Sequence, residues 1–270
     1  MITISVVSHG QGGMLDHLLA DLERVASTSP IELIITENIA DDYQLRNVPT
    51  SCPVRFIRNA QPKGFGANHN QAFAEASGDF FCILNPDIRI HDDPFPILQT
   101  QIARSHAGAI APAILAPSGS IEDNARRFPT PWSLAIRMRG GDDGRYNFAL
   151  GQATMAVDWV AGMFIMFEAS LFKAIGGFDT RFFMYCEDID ISARIWTAGR
   201  SVYICPMVAA VHDAQRASRR SLKHLKRHVV SYLRYFVYHP FFALPQTPSP
   251  ARPETGRSPP SVSPPPAAGT

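Results

Sequence analysis

Residues 80–90, FFCILNPDIRI, join the end of a buried strand to a polar loop. The apolar run 80–84 has the length of a strand, and it stops at Asn85-Pro86-Asp87. Proline cannot donate to a sheet ladder and disfavours helical geometry in the preceding residue, so we expect Asp87 in a loop at the strand's carboxyl end. Ligands of open α/β sheets bind at that end of the strands. The stretch therefore predicts a ligand site that offers a single carboxylate.

Strands and helices alternate before this loop. Strands are predicted at 2–7, 31–35, 54–57 and 80–84, and helices at 14–25 and 65–76. This order predicts βαβ units, and so an α/β fold with a Rossmann-like, mostly parallel central sheet flanked by helices. Because parallel strands end at a common edge, Ser8-His9, Glu37-Asn38 and the Asn85 loop are expected to converge there.

Composition limits the possible classes of protein. The chain has 270 residues, of which 46% are hydrophobic and 18% charged, enough to bury the core of one large domain. A formal net charge of +1 argues against bulk nucleic-acid binding. The four cysteines are scattered, which favours reduced thiols. We find no signal peptide and no run of about 20 apolar residues, and so expect a cytoplasmic protein. The Pro- and Ser-rich residues 245–270 are expected to be disordered.

The second half of the chain is less regular. Residues 116–151 carry no clear pattern, although Arg126 and Arg127 stand there beside an aromatic residue. A strand-like stretch at 157–167 and a short helix at 169–175 follow. The next helix is predicted to begin near Glu187 and end at Gly199.

Glu187 and Asp188 stand at the predicted start of that helix. Acidic residues complement the positive end of the helix dipole, and this is the first interpretation from residue type alone. Asp188 also follows an aromatic stretch, 182–185, and apolar surroundings raise a carboxyl pKa toward the range useful for a general base. Because the dipole lowers the same pKa, the sequence leaves open which influence is larger.

Two further motifs have a structural and a functional interpretation. Gly64-Phe65-Gly66 is similar to part of a dinucleotide fingerprint, but it follows the third strand and lacks the third glycine, so a tight turn is preferred. His212 ends an apolar run. A hydrogen-bonded histidine at a strand end and a histidine with a role in the functional site are equally good interpretations.

Several stretches together resemble the family 2 glycosyltransferases, closest to the bacterial branch described as rhamnosyltransferases. They are NAQPKGFGANHN (59–70), ILNPD (83–87), GGFDTRFFMYCEDID (176–190), Arg194 and AAVH (209–212). The resemblance covers roughly residues 2–238 in the family's order. It implies a GT-A fold and the transfer of a sugar from a nucleotide-diphosphate donor to a hydroxyl, with inversion at the anomeric carbon. It also implies one domain over 1–240, with a nucleotide-sugar half at about 1–115 and an acceptor and catalytic half at about 116–240.

The resemblance carries roles to particular residues. Those expected at the donor are Ser8, Glu37, Asn38, Gly64, Asn70, Asn85 and Asp87. Asp188 matches the family's general base, with Glu187 as second choice, and His212 matches a histidine that completes the metal site in some relatives. The chain departs from the family at Glu37, where Asp is more usual, at His69, where Asn is frequent, and at Asn85, which replaces the first acid of D-x-D.

One acid in the D-x-D position suggests a donor-dependent metal site. Mg²⁺ or Mn²⁺ is often held by one or two carboxylates together with substrate phosphates. Asp87 and His212 are the predicted protein ligands, and the donor diphosphate is expected to supply the remaining oxygens. Metal and donor should then bind cooperatively.

The acceptor is expected to be a glycan or a lipid-linked glycan. Residues 216–238 have basic residues and helically spaced apolar ones, which is typical either of peripheral contact with an anionic membrane or of a helix packed on the catalytic domain. Arg126 and Arg127 are candidates for a donor phosphate or a charged acceptor, or for an exposed basic loop.

The donor and the class of protein have alternatives. dTDP-rhamnose is the preferred donor for cell-surface polysaccharide synthesis, and UDP-galactofuranose is the alternative. A non-catalytic nucleotide-sugar-binding protein stays open because of Asn85. A nucleotidyltransferase is disfavoured, since SHGQGG after the first strand has no cation.

Overall fold

The structure is a computed structural model that describes residues 1–213 and 222–240. The strands are β1 Ile2–His9, β2 Ile31–Ile39, β3 Val54–Arg58, β4 Phe80–Leu84, β5 Ile88–Arg89, β6 Ala107–Leu115, β7 Ala125–Arg126, β8 Met155–Val157, β9 Trp159–Val160, β10 Phe164–Glu168 and β11 Ser201–His212. The helices are α1 Gly12–Ala26, α2 Phe65–Phe73, α3 Phe95–Ser105, α4 Pro131–Met138, α5 Ala169–Ala174, α6 Glu187–Thr197 and α7 Leu222–Tyr238. The predicted tail, 245–270, lies outside the described residues.

A nine-stranded mixed sheet forms the centre of the fold, in the order β3-β2-β1-β4-β10-β6-β11-β5, with β8 also paired to β11. Strands β3, β2, β1 and β4 run parallel, as the alternation of strands and helices predicts. Strand β10 is antiparallel to both of its neighbours, and β6 and β11 are parallel to each other. The α/β prediction is confirmed, and the antiparallel insertion of β10 makes the sheet mixed.

Side chains that alternate along the strands divide the core between the two faces of the sheet. Ile4 and Leu84 pack in the cluster that contains Leu18 of α1 and Phe95 of α3. The neighbouring strand residues Phe81 and Ile83 pack in the opposite cluster, with aromatic and aliphatic residues of α5 and α6. Strand side chains point to opposite faces at successive positions, so the apolar run of β4 serves both clusters. Strand β1 contributes Ile2, Ile4 and Val6 to the first cluster alone.

The structure corrects several element boundaries. The second strand continues to Ile39 instead of ending at residue 35. The stretch 157–167 falls in three short strands, because the chain bends at Asp158 and turns at Gly162-Met163. Residues 116–151, left unassigned from sequence, contain β7 and α4. Strand β11 runs over 12 residues, of which only the end stood out as an apolar run.

Strands β10 and β11 belong to the same sheet as β1 to β4, so the sheet draws on both halves of the chain. The division into a nucleotide-sugar half and an acceptor half stays a prediction. In the part of the chain that the structure describes, every helix is too short or too polar to cross a bilayer.

Candidate active site

The carboxyl ends of β1, β2 and β4 lie side by side, as the parallel order requires. Ser8 pairs in register with Glu37, and β1 lies between β2 and β4. The side chains of His9 and Asn38 are in contact, with 3.1 Å between Nδ1 and Nδ2. The edge predicted from the sequence is therefore present.

Asn38 is buried and shapes the loop that leads into α2. Its Oδ1 accepts hydrogen bonds from the backbone N–H of Lys63 at 2.8 Å and from Nδ2 of Asn59 at 2.8 Å. Its Nδ2 donates to the Lys63 carbonyl at 3.0 Å. The neighbouring Glu37 is partly exposed at the same edge, and its carboxylate accepts from Nε of Arg58 at 2.7 Å. Glu37 is thus available to a ligand, whereas Asn38 supports the loop.

Gly64 and Asn70 tie α2 to the GGFD segment and the loop after it. Gly64 precedes α2, and the N–H of Phe65 donates to the carbonyl of Phe183 at 3.0 Å. Asn70 donates to the carbonyl and accepts from the N–H of Phe178, each at 2.8 Å. These contacts fix the loop that carries Glu187 and Asp188 against the helix beside the donor edge.

Gly64→Ala is expected to lower the melting temperature. A Cβ at Gly64 would lie 2.6 Å from the Phe183 carbonyl oxygen and 2.9 Å from its Cα, so a backbone would have to move. Overpacking of this kind costs about 1–3 kcal/mol, which corresponds to a fall in Tm of about 2–10 °C for a domain of this size. Thermal unfolding followed by circular dichroism measures it.

Gly13→Ala is the matched control, because a Cβ there would meet nothing nearer than 3.7 Å. It lies in α1, where alanine is a better helix former than glycine. Equal melting temperatures for the two variants would contradict the close approach at Gly64.

Asp87, His212 and Glu122 form a line of polar contacts beyond β4 and β11. Oδ2 of Asp87 lies 3.2 Å from Nε2 of His212, and Nδ1 of His212 lies 2.7 Å from Oε2 of Glu122. Burial alone would lower the pKa of His212, but the two carboxylates outweigh it and raise the pKa to about 9. Glu122 lies within the segment that carried no sequence pattern, so sequence reasoning missed it.

The polar atoms around Asp87 have the chemistry to hold a divalent cation in part. Oδ1 of Asp87 is buried and has no hydrogen-bond partner among the described residues, so it is free to accept a positive ligand. Within residues 1–213 and 222–240, no group of three His, Cys, Asp or Glu side chains could hold a metal by itself. Asp87 therefore fits a cation whose coordination is completed by other oxygens, as a diphosphate would supply. His212 would join it as the neutral imidazole, after release of the proton that its pKa of about 9 retains.

Asp188 and Glu187 begin α6 in different surroundings. Oδ1 of Asp188 accepts from the N–H of Ile189 at 2.9 Å, and Oδ2 accepts from the N–H of Gly162 at 3.3 Å. Burial raises the pKa of Asp188 to about 6 in spite of these bonds. Glu187 is buried, and desolvation together with the charge of Asp188 raises its pKa well above the usual value. Desolvation thus outweighs the backbone hydrogen bonds that lower the pKa of each acid.

The backbone before α6 is unusual. Tyr185 has φ 73° and Cys186 has φ 64°, and both are L-residues in the left-handed region. Such conformations cost of order 1–3 kcal/mol each, and they cluster at functional sites. They turn the chain so that α6 begins directly at the two acids.

The segment Ala161-Gly162-Met163 joins Asp188 to the donor edge. The N–H of Asn85 donates to the Met163 carbonyl at 2.9 Å, and the adjacent residue, Gly162, donates to Asp188. A Cβ at Gly162 would lie 2.9 Å from the ring of Phe65, so glycine permits this packing. The turn thus connects the Asn-Pro-Asp loop with the candidate base.

Arg126 and Arg127 have different surroundings. Arg126 is buried and its guanidinium pairs with Asp123. Arg127 has a side chain that is 61% exposed and only a 3.4 Å ion pair with Asp142. Arg127 is therefore the one of the pair that a ligand can reach.

Helix α7 packs on the loop before α6. The hydroxyl of Ser231 donates to the Met184 carbonyl at 2.9 Å, and the rings of His228 and Tyr185 stack with centroids 3.4 Å apart. Its opposite side leaves a stripe of apolar side chains exposed, namely Val229, Val230, Leu233 and Val237. The interpretation of a packed helix is correct for one side of α7, and the exposed stripe leaves membrane contact to be tested.

Comparison with solved structures defines the class of protein. The structure of GalNAc-T7 with UDP, GalNAc and Mn²⁺ superposes with a TM-score of 0.62 at 16% identity, over 88% of this chain and 47% of that one. This chain therefore spans about half the length of GalNAc-T7, and the likeness shows the fold. The protein has the GT-A fold, as the sequence resemblance implied.

The family follows from sequence comparison. The pattern of glycosyl transferase family 2 matches residues 7–168, and the chain belongs to this family of glycosyltransferases. It is 29% identical to rhamnosyltransferase WbbL of Escherichia coli K12, over 87% of this chain and 92% of the relative. It is 27% identical to N-acetylglucosaminyl-diphospho-decaprenol L-rhamnosyltransferase of Mycobacterium tuberculosis H37Rv, over 84% and 81% of the two chains.

Proposed function

We propose that the protein is an inverting glycosyltransferase that moves L-rhamnose from dTDP-rhamnose to a hydroxyl of a lipid-linked glycan during cell-surface polysaccharide synthesis. The observation that carries this proposal is the position of Asp188, joined through Gly162 and Met163 to Asn85 at the donor edge. The names of the two relatives support rhamnose as the sugar, and one of them supports a diphospho-lipid acceptor.

Asp188 would act as the general base. An inverting transfer needs a base that takes the proton of the acceptor hydroxyl as its oxygen attacks the face opposite the leaving group. A pKa of about 6 leaves Asp188 ionised near neutral pH and basic enough to accept the proton. Glu187 is the second choice, because burial and the charge of Asp188 raise its pKa and disfavour its ionised form.

The donor would lie along the ends of β1, β2 and β4. Glu37 is exposed toward the nucleoside side of this edge, and Ser8 lies in register beside it. Asp87 and His212 would hold Mg²⁺ or Mn²⁺, with Asn85 next to the diphosphate. When bound, the cation stabilises the negative charge of the departing nucleoside diphosphate.

A thermal-shift panel of dTDP, UDP and GDP sugars, each with and without manganese, tests the donor. We expect dTDP-rhamnose to stabilise the protein most, because a ligand that binds only the folded state raises the melting temperature. If UDP-galactofuranose gave the largest shift in melting temperature, UDP-galactofuranose would be the donor in place of dTDP-rhamnose. The absence of a shift with every nucleotide sugar would contradict the proposed donor site.

Asn85 favours one other candidate, a nucleotide-sugar-binding protein without turnover. An amide in the place of an acid leaves the D-x-D position with one carboxylate, Asp87, and so weakens the metal site. Such a protein would bind the donor but release no dTDP with any acceptor. Release of dTDP in the presence of a diphospho-lipid-linked N-acetylglucosamine would exclude it.

Peripheral membrane contact through residues 216–238 is part of the proposal. Residues 214–221 lie outside the described ranges. The support for membrane contact comes from the exposed apolar stripe on α7, in which Leu233 is 61% and Val237 72% exposed. Vesicles that contain anionic lipid are expected to float the protein, and Leu233→Ser with Val237→Ser to reduce the bound fraction severalfold. A sucrose-gradient flotation assay measures this.

Phe56→Ser is the matched control for flotation, since Phe56 is an exposed apolar residue on the edge strand β3. It should bind vesicles as the unaltered protein does. Flotation that fails equally with and without anionic lipid would count against membrane contact.

A further inference from the structure

A cavity of about 180 Å³ opens between the end of β7, helix α4 and helix α7. Its wall includes Arg127, Phe128, Leu134, Arg137, Trp159 and Tyr232. The lining also contains Arg126, which is buried and paired with Asp123, so Arg127 and Arg137 are its two accessible cations. Aromatic and aliphatic side chains beside accessible cations suit a ligand with both an anionic and an apolar part. The donor edge does not include any of these residues.

The cavity lies next to the candidate base. Phe128, Trp159 and Tyr232 pack against the buried cluster that contains Cys186 and Ile189, which are the residues on either side of Glu187 and Asp188. The indole N–H of Trp159 donates to the Arg127 carbonyl at 2.9 Å, which fixes the wall on the β7 side. A ligand in this cavity would therefore lie against the cluster whose members flank Glu187 and Asp188 in the sequence. The two acids themselves do not line the cavity.

The two arginines of the wall are available to an anion. Arg127 forms an ion pair with Asp142 at 3.4 Å, in which both side chains are largely exposed, and its guanidinium carbon lies 5.8 Å from the centre of the Tyr146 ring. Arg137 is exposed and forms no ion pair with any residue in 1–213 or 222–240. Asp143, the other acid at the rim, is already paired with Arg145 at 2.5 Å. An anion can thus replace Asp142 at Arg127 without leaving a buried charge unpaired.

We infer that this cavity binds the diphosphate of the acceptor, with Arg127 and Arg137 on its phosphate oxygens. The inference rests on the proposed function, and it adds the residues that select the acceptor. The planar guanidinium matches phosphate oxygens in a two-pronged geometry that lysine cannot reproduce. The apolar side of the cavity, formed in part by Leu134, then lies beside the first carbons of the lipid.

Binding of two acceptors that differ only in the diphosphate tests the inference. One is N-acetylglucosaminyl farnesyl diphosphate, and the other is farnesyl N-acetylglucosaminide, which has the same sugar and lipid but no phosphate. Titration calorimetry with dTDP and manganese present gives the affinity for each. We expect the unaltered protein to prefer the diphosphate acceptor, and Arg127→Ala and Arg137→Ala each to reduce that preference about 10–100-fold, since hydrogen bonds to charged groups contribute about 1.5–3 kcal/mol.

Arg139→Ala is the matched control, because Arg139 is exposed at the end of α4 and does not line the cavity. It should keep the full preference. A preference that is absent in the unaltered protein, or unchanged in Arg127→Ala and Arg137→Ala, would overturn the inference. A parallel fall in dTDP affinity would also overturn it, because the arginines would then serve the donor.

A transfer assay with dTDP-rhamnose and the same two acceptors, set beside the titration, separates this inference from the proposed function. The protein could prefer the diphosphate acceptor in a way that depends on the two arginines and yet transfer no rhamnose. That result would support the cavity as the acceptor site and contradict the proposed reaction. Transfer of rhamnose to both acceptors with equal efficiency would support the reaction and contradict the cavity.

Discussion

Asp188→Asn is expected to lower the rate of sugar transfer by about 10²–10⁴, the usual contribution of a positioned general base. Asparagine keeps the size of the side chain and an oxygen that accepts from the Gly162 N–H, but it cannot take a proton. Donor binding should persist, because Asp188 lies at the start of α6 and not on the strand ends that form the donor edge. Single-turnover transfer and donor titration measure the two effects separately.

The pH profile gives a second signature of the same base. A base works in its ionised form, and the pKa of Asp188 is raised to about 6 by burial. Transfer should therefore increase as the pH rises through about 6 and fall off below it. Full activity in Asp188→Asn would remove this residue from the role, and loss of transfer in Glu187→Gln alone would assign the role to Glu187.

The first half of the site could be predicted from the sequence because parallel strands obey a simple rule. An apolar run followed by a helix fixes the direction of each strand, so the polar residues after β1, β2 and β4 had to meet at one edge. The Asn-Pro-Asp loop follows from the same rule and from the chemistry of proline. These inferences need only local patterns and the order of elements.

The contacts around Asp188 and Asp87 could not be predicted in this way. Strand β10 runs antiparallel between β4 and β6, and this places Gly162 beside the base. Glu122 reaches His212 across 90 positions of sequence, from a segment with no periodic pattern. Such contacts depend on how distant parts of the chain pack, and no local spacing encodes them.

The pKa of Asp188 illustrates the same limit. The sequence showed two opposing influences, an aromatic stretch that desolvates the carboxylate and a helix dipole that stabilises it. Only the packing of residues 182–186 against α7 and the cavity wall decides between them, because that packing sets how much water reaches the carboxylate.

Asp87→Ala is expected to remove the metal-dependent part of donor binding and to lower kcat/KM about 10²-fold or more. A cation at a departing diphosphate supplies several kcal/mol of charge stabilisation, and Asp87 is the only acid in the Asn-Pro-Asp loop. The buried Oδ1 of Asp87 has no hydrogen-bond partner among the described residues. The substitution therefore removes an oxygen ligand of the cation and breaks no hydrogen bond made by Oδ1. His212 alone would remain.

The measurement for Asp87 is the melting temperature in a matrix of manganese and dTDP-rhamnose concentrations. For the unaltered protein we expect manganese alone to shift the melting temperature little. Manganese and dTDP-rhamnose together should shift it by more than the sum of their separate shifts, because the donor completes the coordination of the cation. Asp87→Ala should abolish the excess and leave the shift with donor alone. Asp92→Ala, which removes an exposed acid a few residues further on, should keep it. A site with one carboxylate and one histidine depends on the diphosphate for its remaining ligands. Tight binding of manganese without donor would therefore show that the cation is held elsewhere. So would a combined shift in Asp87→Ala that still exceeds the sum of the separate shifts.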